Sequence, residues 1–186
     1  MKKLLCLCLG LLILISLGLI NIEKIESNNF KSFRHDIIVR YYCHKNKVEY
    51  KLVKSIIKYE SENKQYAKNN EYKQLKDLYW VKKAICDNGL NKNDKHIYCA
   101  YGKMQVLYLS CVALGYKGKP SGLYNETVNI KYGTMILKQK YEKYHRTKDR
   151  ICAYNSGSVR CINGIYINQK YVAKVYRHYK SIGGKA

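Results

Sequence analysis

Apolar residues recur at helical spacing through most of this chain, and nowhere do they alternate for long enough to build a sheet protein. Val48, Leu52, Val53, Ile56 and Ile57 repeat at spacings of three to five, which gathers them on one stripe of a helix. Val106 to Leu114 is nearly all apolar and reads as a buried helix. Gly102-Lys103-Met104-Gln105 opens it and Gly115 is placed as its C-cap. Asn125 can N-cap a helix running to about Tyr144, with Val128, Ile130, Met135, Ile136 and Leu137 among its apolar positions. Further helices are expected around Leu75 to Ile85, from about Asp149, and over Gln169 to Lys180. Pro120 is the single proline, set in a loop from Gly118 to Gly122, and no internal repeat is present. The expected fold is mainly α, one compact helical domain.

The N-terminus sets the expected compartment. Lys2 and Lys3 precede a run from Leu4 to Ile20 that is apolar apart from Ser16 and two glycines. This is the layout of a secretory signal peptide or of a transmembrane anchor. The lysines would keep the N-terminus inside and send the rest of the chain out. No small-x-small cleavage site follows the run, so both outcomes stay open. Residues 1–22 are assigned to this segment, 23–47 to a linker or leading helix, and 48–186 to the folded domain. About 160 residues beyond the apolar run suffice for one domain with a single core.

Charge narrows the partners. Thirty-five Lys and Arg against thirteen Asp and Glu give a formal net charge of +22, which favours a polyanion. Some of this charge follows simply from a composition rich in Lys, Asn, Ile and Tyr. Nucleic acid is the ordinary partner of a basic protein, but an export segment argues against it. That leaves anionic envelope polymers and peptidoglycan with its peptide carboxylates. Six cysteines, Cys43, Cys86, Cys99, Cys111, Cys152 and Cys161, follow the apolar run, an even number that allows disulfides in an exported domain. Cys86 with Cys99 and Cys152 with Cys161 are the local pairs expected first. Cys111, inside an apolar run, can equally serve as a small buried hydrophobe. No Cys or His spacing suggests a metal, and no cofactor is implied.

Glu60 is the candidate acid. Leu52, Ile56 and Glu60 are four apart, so the carboxylate continues the apolar stripe of its helix. A glutamate facing an apolar cleft has its charged form disfavoured and its pKa raised, as protonating a glycosidic oxygen near neutral pH requires. The plainer reading is a helix-terminal glutamate paired with Lys64. In the second block, Gln105 offers an amide for sugar hydroxyls or acetamido groups, and Met104 a thioether that can pack on a sugar face.

Read in order, these blocks resemble the lytic transglycosylase family, whose lysozyme-like enzymes cut the glycan strands of peptidoglycan. The family shows Glu-Ser, then Gly-Leu-Met-Gln, Leu-Gly, Asn-Ile-x-x-Gly, Ala-Tyr-Asn-x-Gly and a closing Tyr-Val-x-x-Val. This chain has Glu60-Ser61, Gly102 to Gln105, Leu114-Gly115, Asn129 to Gly133, Ala153-Tyr154-Asn155-Ser156-Gly157, and Tyr171-Val172 with Val175. The resemblance implies a compact lysozyme-like helical domain behind the apolar signal or anchor helix. It implies Glu60 as the sole catalytic acid/base, with Ser61, Met104, Gln105, Tyr154 and Asn155 as substrate-binding positions. Ser61 would support the helix end, and Tyr154 would hold its hydroxyl near the glutamate or the reacting sugar. Cleavage between MurNAc and GlcNAc with closure of a 1,6-anhydro ring is the implied reaction. The alternatives are a goose-type lysozyme-like hydrolase using a second acid such as Asp94, or a non-catalytic basic envelope-binding protein. Glycan strands are the implied partner, with the membrane reached through the N-terminal segment and a secretion or conjugation apparatus left open.

The chain also departs from the family pattern. Lys103 stands for the usual Leu, Cys99 for a Gly and His96 for a Ser. Asn125-Glu126 falls where Asp-Pro is usual, and Ile167 where a Glu precedes the closing Tyr-Val. Gln105 lies forty-five positions after Glu60, so residues around 66–95 read as an insertion that caps the cleft or binds a partner.

Overall fold

The computed structural model describes residues 29–185. The apolar segment Leu4 to Ile20, on which the signal or anchor expectation rests, lies outside them. Among the described residues, no helix is long and apolar enough to cross a membrane. The chain divides into two units, residues 1–37 and residues 38–186. In the first, residues 29–37 are helical, and Phe30, Phe33 and Ile37 are exposed.

The second unit is mainly helical and opens on helical residues 38–46, here α1, which bury Val39 and Cys43. Helix α2, Tyr50–Ser61, buries Leu52, Val53, Ile56 and Ile57, as the apolar stripe predicts. It stops because the next two residues turn left-handed, Glu62 at φ +52° and Asn63 at φ +66°, so Glu60 sits in the last turn. Helix α2 packs on α8, Gln169–Ser181, which packs on α7, Thr147–Ser156; α7 in turn meets α6, Glu126–Lys143. Val172, Val175 and Tyr179 are the buried face of α8. The Tyr179 hydroxyl donates to Glu49 Oε2 at 2.6 Å, which fixes the far end of α8 to the start of α2.

Segment 66–95 is built into the domain. Its strand β1, Lys68–Asn70, pairs antiparallel with β2, Cys99–Tyr101, with Lys68 opposite Tyr101. Strand β2 pairs in turn with β3, Val106–Leu107, giving a three-stranded sheet of order β1-β2-β3. Beyond β1 come the short α3, Tyr72–Leu75, and then α4, Tyr79–Asp87, which buries Val81, Ala84 and Ile85. Helix α4 meets α5, Tyr108–Ala113. A second, two-stranded sheet joins β4, Cys161–Ile162, to β5, Ile165–Tyr166.

The second motif block therefore does not open a helix. Gly102 to Gln105 forms the turn between β2 and β3, and Val106–Leu107 is strand, so the expected helix begins only at Tyr108. Gly102 at φ +71° and Gln105 at φ +45° are left-handed, which no helix start accommodates. The Gly102 N–H is also taken by Ala67 O at 2.8 Å. The end of α5 follows expectation. Gly115, at φ +88°, donates to Val112 O at 2.9 Å and Tyr116 to Cys111 O at 2.9 Å, a Schellman closure. Asn125 caps α6 by accepting from Val128 N at 3.1 Å.

The expected cysteine pairs are corrected. All six described cysteines are free thiols. Cys99 and Cys152 are buried while their proposed partners, Cys86 and Cys161, are exposed. Cys99 Sγ donates to Lys95 O at 3.4 Å. Burial pushes the Cys111 thiol upward, so it behaves as a small core hydrophobe.

Candidate active site

The last turn of α2 brings Glu60 to the edge of the core, where it is half-buried. Burial disfavours its carboxylate most; a nearby Glu71 adds a smaller push in the same direction, against a hydrogen bond from Tyr171. The balance raises Glu60 to about 7, so near neutral pH it holds its proton about half the time. The Tyr171 hydroxyl donates to Glu60 Oε1 at 2.5 Å. This bond crosses from α8 to α2 and fixes the carboxyl's orientation.

Opposite stands the β2–β3 turn. Ser61 is buried, and its hydroxyl donates to Lys103 O at 2.8 Å, so the residue after the acid clamps the turn. The turn is held from the other side by Asn129 of α6, which is 1 % exposed. Asn129 Nδ2 donates to Tyr101 O at 2.7 Å and to Leu123 O at 2.9 Å, while its Oδ1 accepts from Met104 N at 2.8 Å. Only glycine fits at 102, because a Cβ there would lie 2.7 Å from Asn129 Cγ and 2.9 Å from Leu123 O. Gly133 performs the matching service on α6: a Cβ there would lie 2.9 Å from Met104 Cβ. The Met104 side chain is fully buried and so packs the turn onto α6.

Tyr154 of α7 closes the arrangement. Its hydroxyl donates to Met104 O at 2.8 Å. Burial, and then the Glu60 charge, push it well above the ordinary phenol range. Tyr171 is raised for the same reasons. Both phenols thus stay protonated as donors, with one aimed at the acid and the other at the turn. Gln105 is half-buried beside them, and its Nε2 donates to Gly102 O at 2.9 Å. Glu60, Tyr171, Tyr154 and the backbone of Met104 are therefore brought together, with Gln105 the next residue of the turn. Asn155 stands apart: it is exposed and accepts from Asn168 Nδ2 at 2.9 Å.

Tyr171, Asn129 and Gly133 belong to this site and were not singled out from the sequence as site residues. Each lay inside a block that was recognised, Tyr-Val for the first and Asn-Ile-x-x-Gly for the other two. Two of the family departures explain each other. Lys103 Nζ lies 2.5 Å from Glu126 Oε1, with side chains 10 % and 16 % exposed, so a charge pair occupies the place of the usual Leu and Pro. Asp94, the second acid named for a hydrolase, caps a turn instead, accepting from His96 N at 2.9 Å.

Tyr171→Phe removes the hydrogen bond that stabilises the ionised carboxylate. The folded pKa of Glu60 should then rise further, because burial is left with less opposition. If Glu60 is the general acid, the alkaline limb of the pH–rate profile should move to higher pH in this variant. A limb that stays in place or moves down would refute Tyr171's influence on the acid.

A family model described as the transglycosylase SLT domain matches residues 38–176. No curated protein and no solved structure matches the chain. The matched span covers most of the sequence and contains Glu60, the whole β2–β3 turn, Asn129 and both tyrosines. The chain accordingly belongs to the transglycosylase SLT family, lysozyme-like enzymes that act on peptidoglycan.

Proposed function

We propose that the protein is an exported lytic transglycosylase that cleaves the MurNAc–GlcNAc β-1,4 bond and leaves a 1,6-anhydro-MurNAc end. Glu60, protonated, donates to the glycosidic oxygen as the bond breaks. The substrate's own N-acetyl group steadies the positive charge at the sugar carbon. Glu60, now ionised, then takes the proton of the C6 hydroxyl, and that oxygen closes the anhydro ring. Gln105 and the exposed edge of the turn would bind sugar amide and hydroxyl groups, with Tyr154 bracing the turn and Asn155, set apart beside Asn168, meeting the strand only beyond this cluster. Ser61 and Met104 would act from beneath by holding the turn in shape.

One observation carries this reading: a half-buried carboxyl raised to about 7 and oriented by a tyrosine, a single group able to give and retake a proton. A two-carboxylate scheme needs a second acid to activate water. Glu71, whose charge raises Glu60 slightly, is the neighbouring acid that such a scheme would use, so the products decide between the two routes. Mass spectrometry of muropeptides released from purified sacculi tests the choice. Products should carry anhydro ends, one water lighter than hydrolytic products. Reducing ends alone would replace the transglycosylase with a lysozyme-like hydrolase. The same reading places the domain in the cell envelope, with the glycan strand as its partner.

A further inference from the structure

On the face of α8 away from Glu60 lies a groove of about 840 Å³, walled by the start of α7, the β4–β5 hairpin and one face of α8 from Gln169 to Lys180. At 100° per residue, Tyr171, Val175 and Tyr179 face α2, while Ala173, Arg177 and Lys180 point to the opposite side. The groove is therefore separate from the site around Glu60. Its lining carries four cations, Arg146 and Lys148 from the start of α7 and Arg177 and Lys180 from the last turns of α8. Against them stands one acid, Asp149, which already accepts from the Tyr166 hydroxyl at 2.5 Å. None of the four cations is ion-paired with an acid among the described residues. The Lys148 ammonium instead lies 4.9 Å from the centre of the Tyr176 ring. The volume falls in the range of ligand pockets, about 300–1,000 Å³.

We infer that this groove is a second binding site, taking the carboxylate-bearing stem peptides of peptidoglycan while the glycan strand occupies the cleft at Glu60. The inference rests on peptidoglycan being the substrate. Arginine forks match carboxylates in bidentate fashion. The tyrosine rings and the Gln169 amide of the lining suit a short peptide better than a bare polyanion, which needs only charge. Two sites on one polymer raise the effective concentration of the strand at the acid. A net charge of +22 would then hold the enzyme to the wall through one defined place rather than through its whole surface.

The test measures co-sedimentation of the full chain with purified sacculi across a salt series, in a Glu60→Gln background that prevents digestion. Changing Arg146, Lys148, Arg177 and Lys180 together to Gln should weaken retention about tenfold or more and flatten its salt dependence. Changing Lys73, Lys82, Lys92 and Lys117 to Gln removes the same charge elsewhere and should cost far less. An Arg146→Lys/Arg177→Lys variant keeps the charge but loses the forks, so its retention should fall between wild type and the quadruple variant, and an unchanged melting temperature separates lost binding from misfolding. Stripping the stem peptides with an amidase should lower wild-type retention to the level of the groove variant. Equal losses from the two quadruple variants, or unchanged wild-type binding to peptide-free glycan, would overturn the site. Cutting of short, peptide-free glycan by the otherwise wild-type groove variant should be unaltered. A chain that cuts no glycan yet shows groove-dependent retention would sink the catalytic reading and leave this one standing.

Discussion

Glu60→Gln is expected to cut product release from sacculi by at least about 10⁴-fold while leaving the fold intact. Losing a general acid alone costs about 10²–10⁴-fold. Here one carboxyl serves both proton transfers, so the loss should reach the top of that range or pass it. The amide keeps the size of the side chain, and its oxygen can still accept from the Tyr171 hydroxyl. Stability should move the other way. The folded pKa of about 7 lies above that of a free glutamate, so the folded state holds the proton more tightly. The stability linked to this group is fully present below about pH 4 and is lost as pH rises through 7. At pH 8 the buried charge therefore costs the wild type on the order of 3 kcal/mol, by the ~1.4 kcal/mol per pKa unit of linkage. Glutamine carries no such charge. The variant should melt with the wild type at pH 4 and above it at pH 8. Near wild-type release of anhydro-muropeptides, or a variant less stable than wild type at pH 8, would refute the assignment.

The course of α2 and the position of Glu60 in its last turn could be read from the sequence because both depend on four-residue spacing within one helix. The same is true of the Asn125 cap and the Gly115 closure, where one residue and its immediate neighbours decide the geometry. The β2–β3 turn was not legible. Strands of two and three residues leave no alternation to detect, and the all-apolar run from Val106 is compatible with strand or helix. What decides in favour of the turn is Asn129, a residue of α6 far along the chain that bonds Tyr101 O of the strand and Met104 N of the turn, and Leu123 O just before its own helix. Tyr171 was missed for a similar reason, since its bond to Glu60 joins helices 111 positions apart. Lys103 and Glu126 read singly as two departures from the family and together as one ion pair. The cysteine pairing failed because an even count says nothing about distance or burial, and two of the thiols are core residues.

Asn129→Ala is expected to cost about 3–6 kcal/mol of unfolding free energy, the largest stability effect of any single change near the site. Alanine leaves the Met104 N–H and the Tyr101 and Leu123 carbonyls without the partner each now has at 2.7–2.9 Å. Each buried backbone group left unmet costs about 1–3 kcal/mol, and the total is large beside the 5–15 kcal/mol of a typical domain. Asn129→Asp should be no better. Its carboxylate can accept from Met104 N, but it cannot donate to the two carbonyls and would set a negative charge against their oxygens. The effect on activity separates this residue from Glu60. The turn presents Gln105 and the Met104 carbonyl that positions Tyr154, so a loosened turn should lower kcat/KM even at temperatures where the variant is folded. Urea unfolding followed alongside turnover gives both numbers from one preparation. A destabilisation below about 1 kcal/mol would mean that the turn holds itself and that Ser61 and Gly133 suffice. A large destabilisation with full activity in the folded fraction would separate the shape of the turn from catalysis. The expected result, loss of both, differs from Glu60→Gln, where activity falls and stability at pH 8 rises.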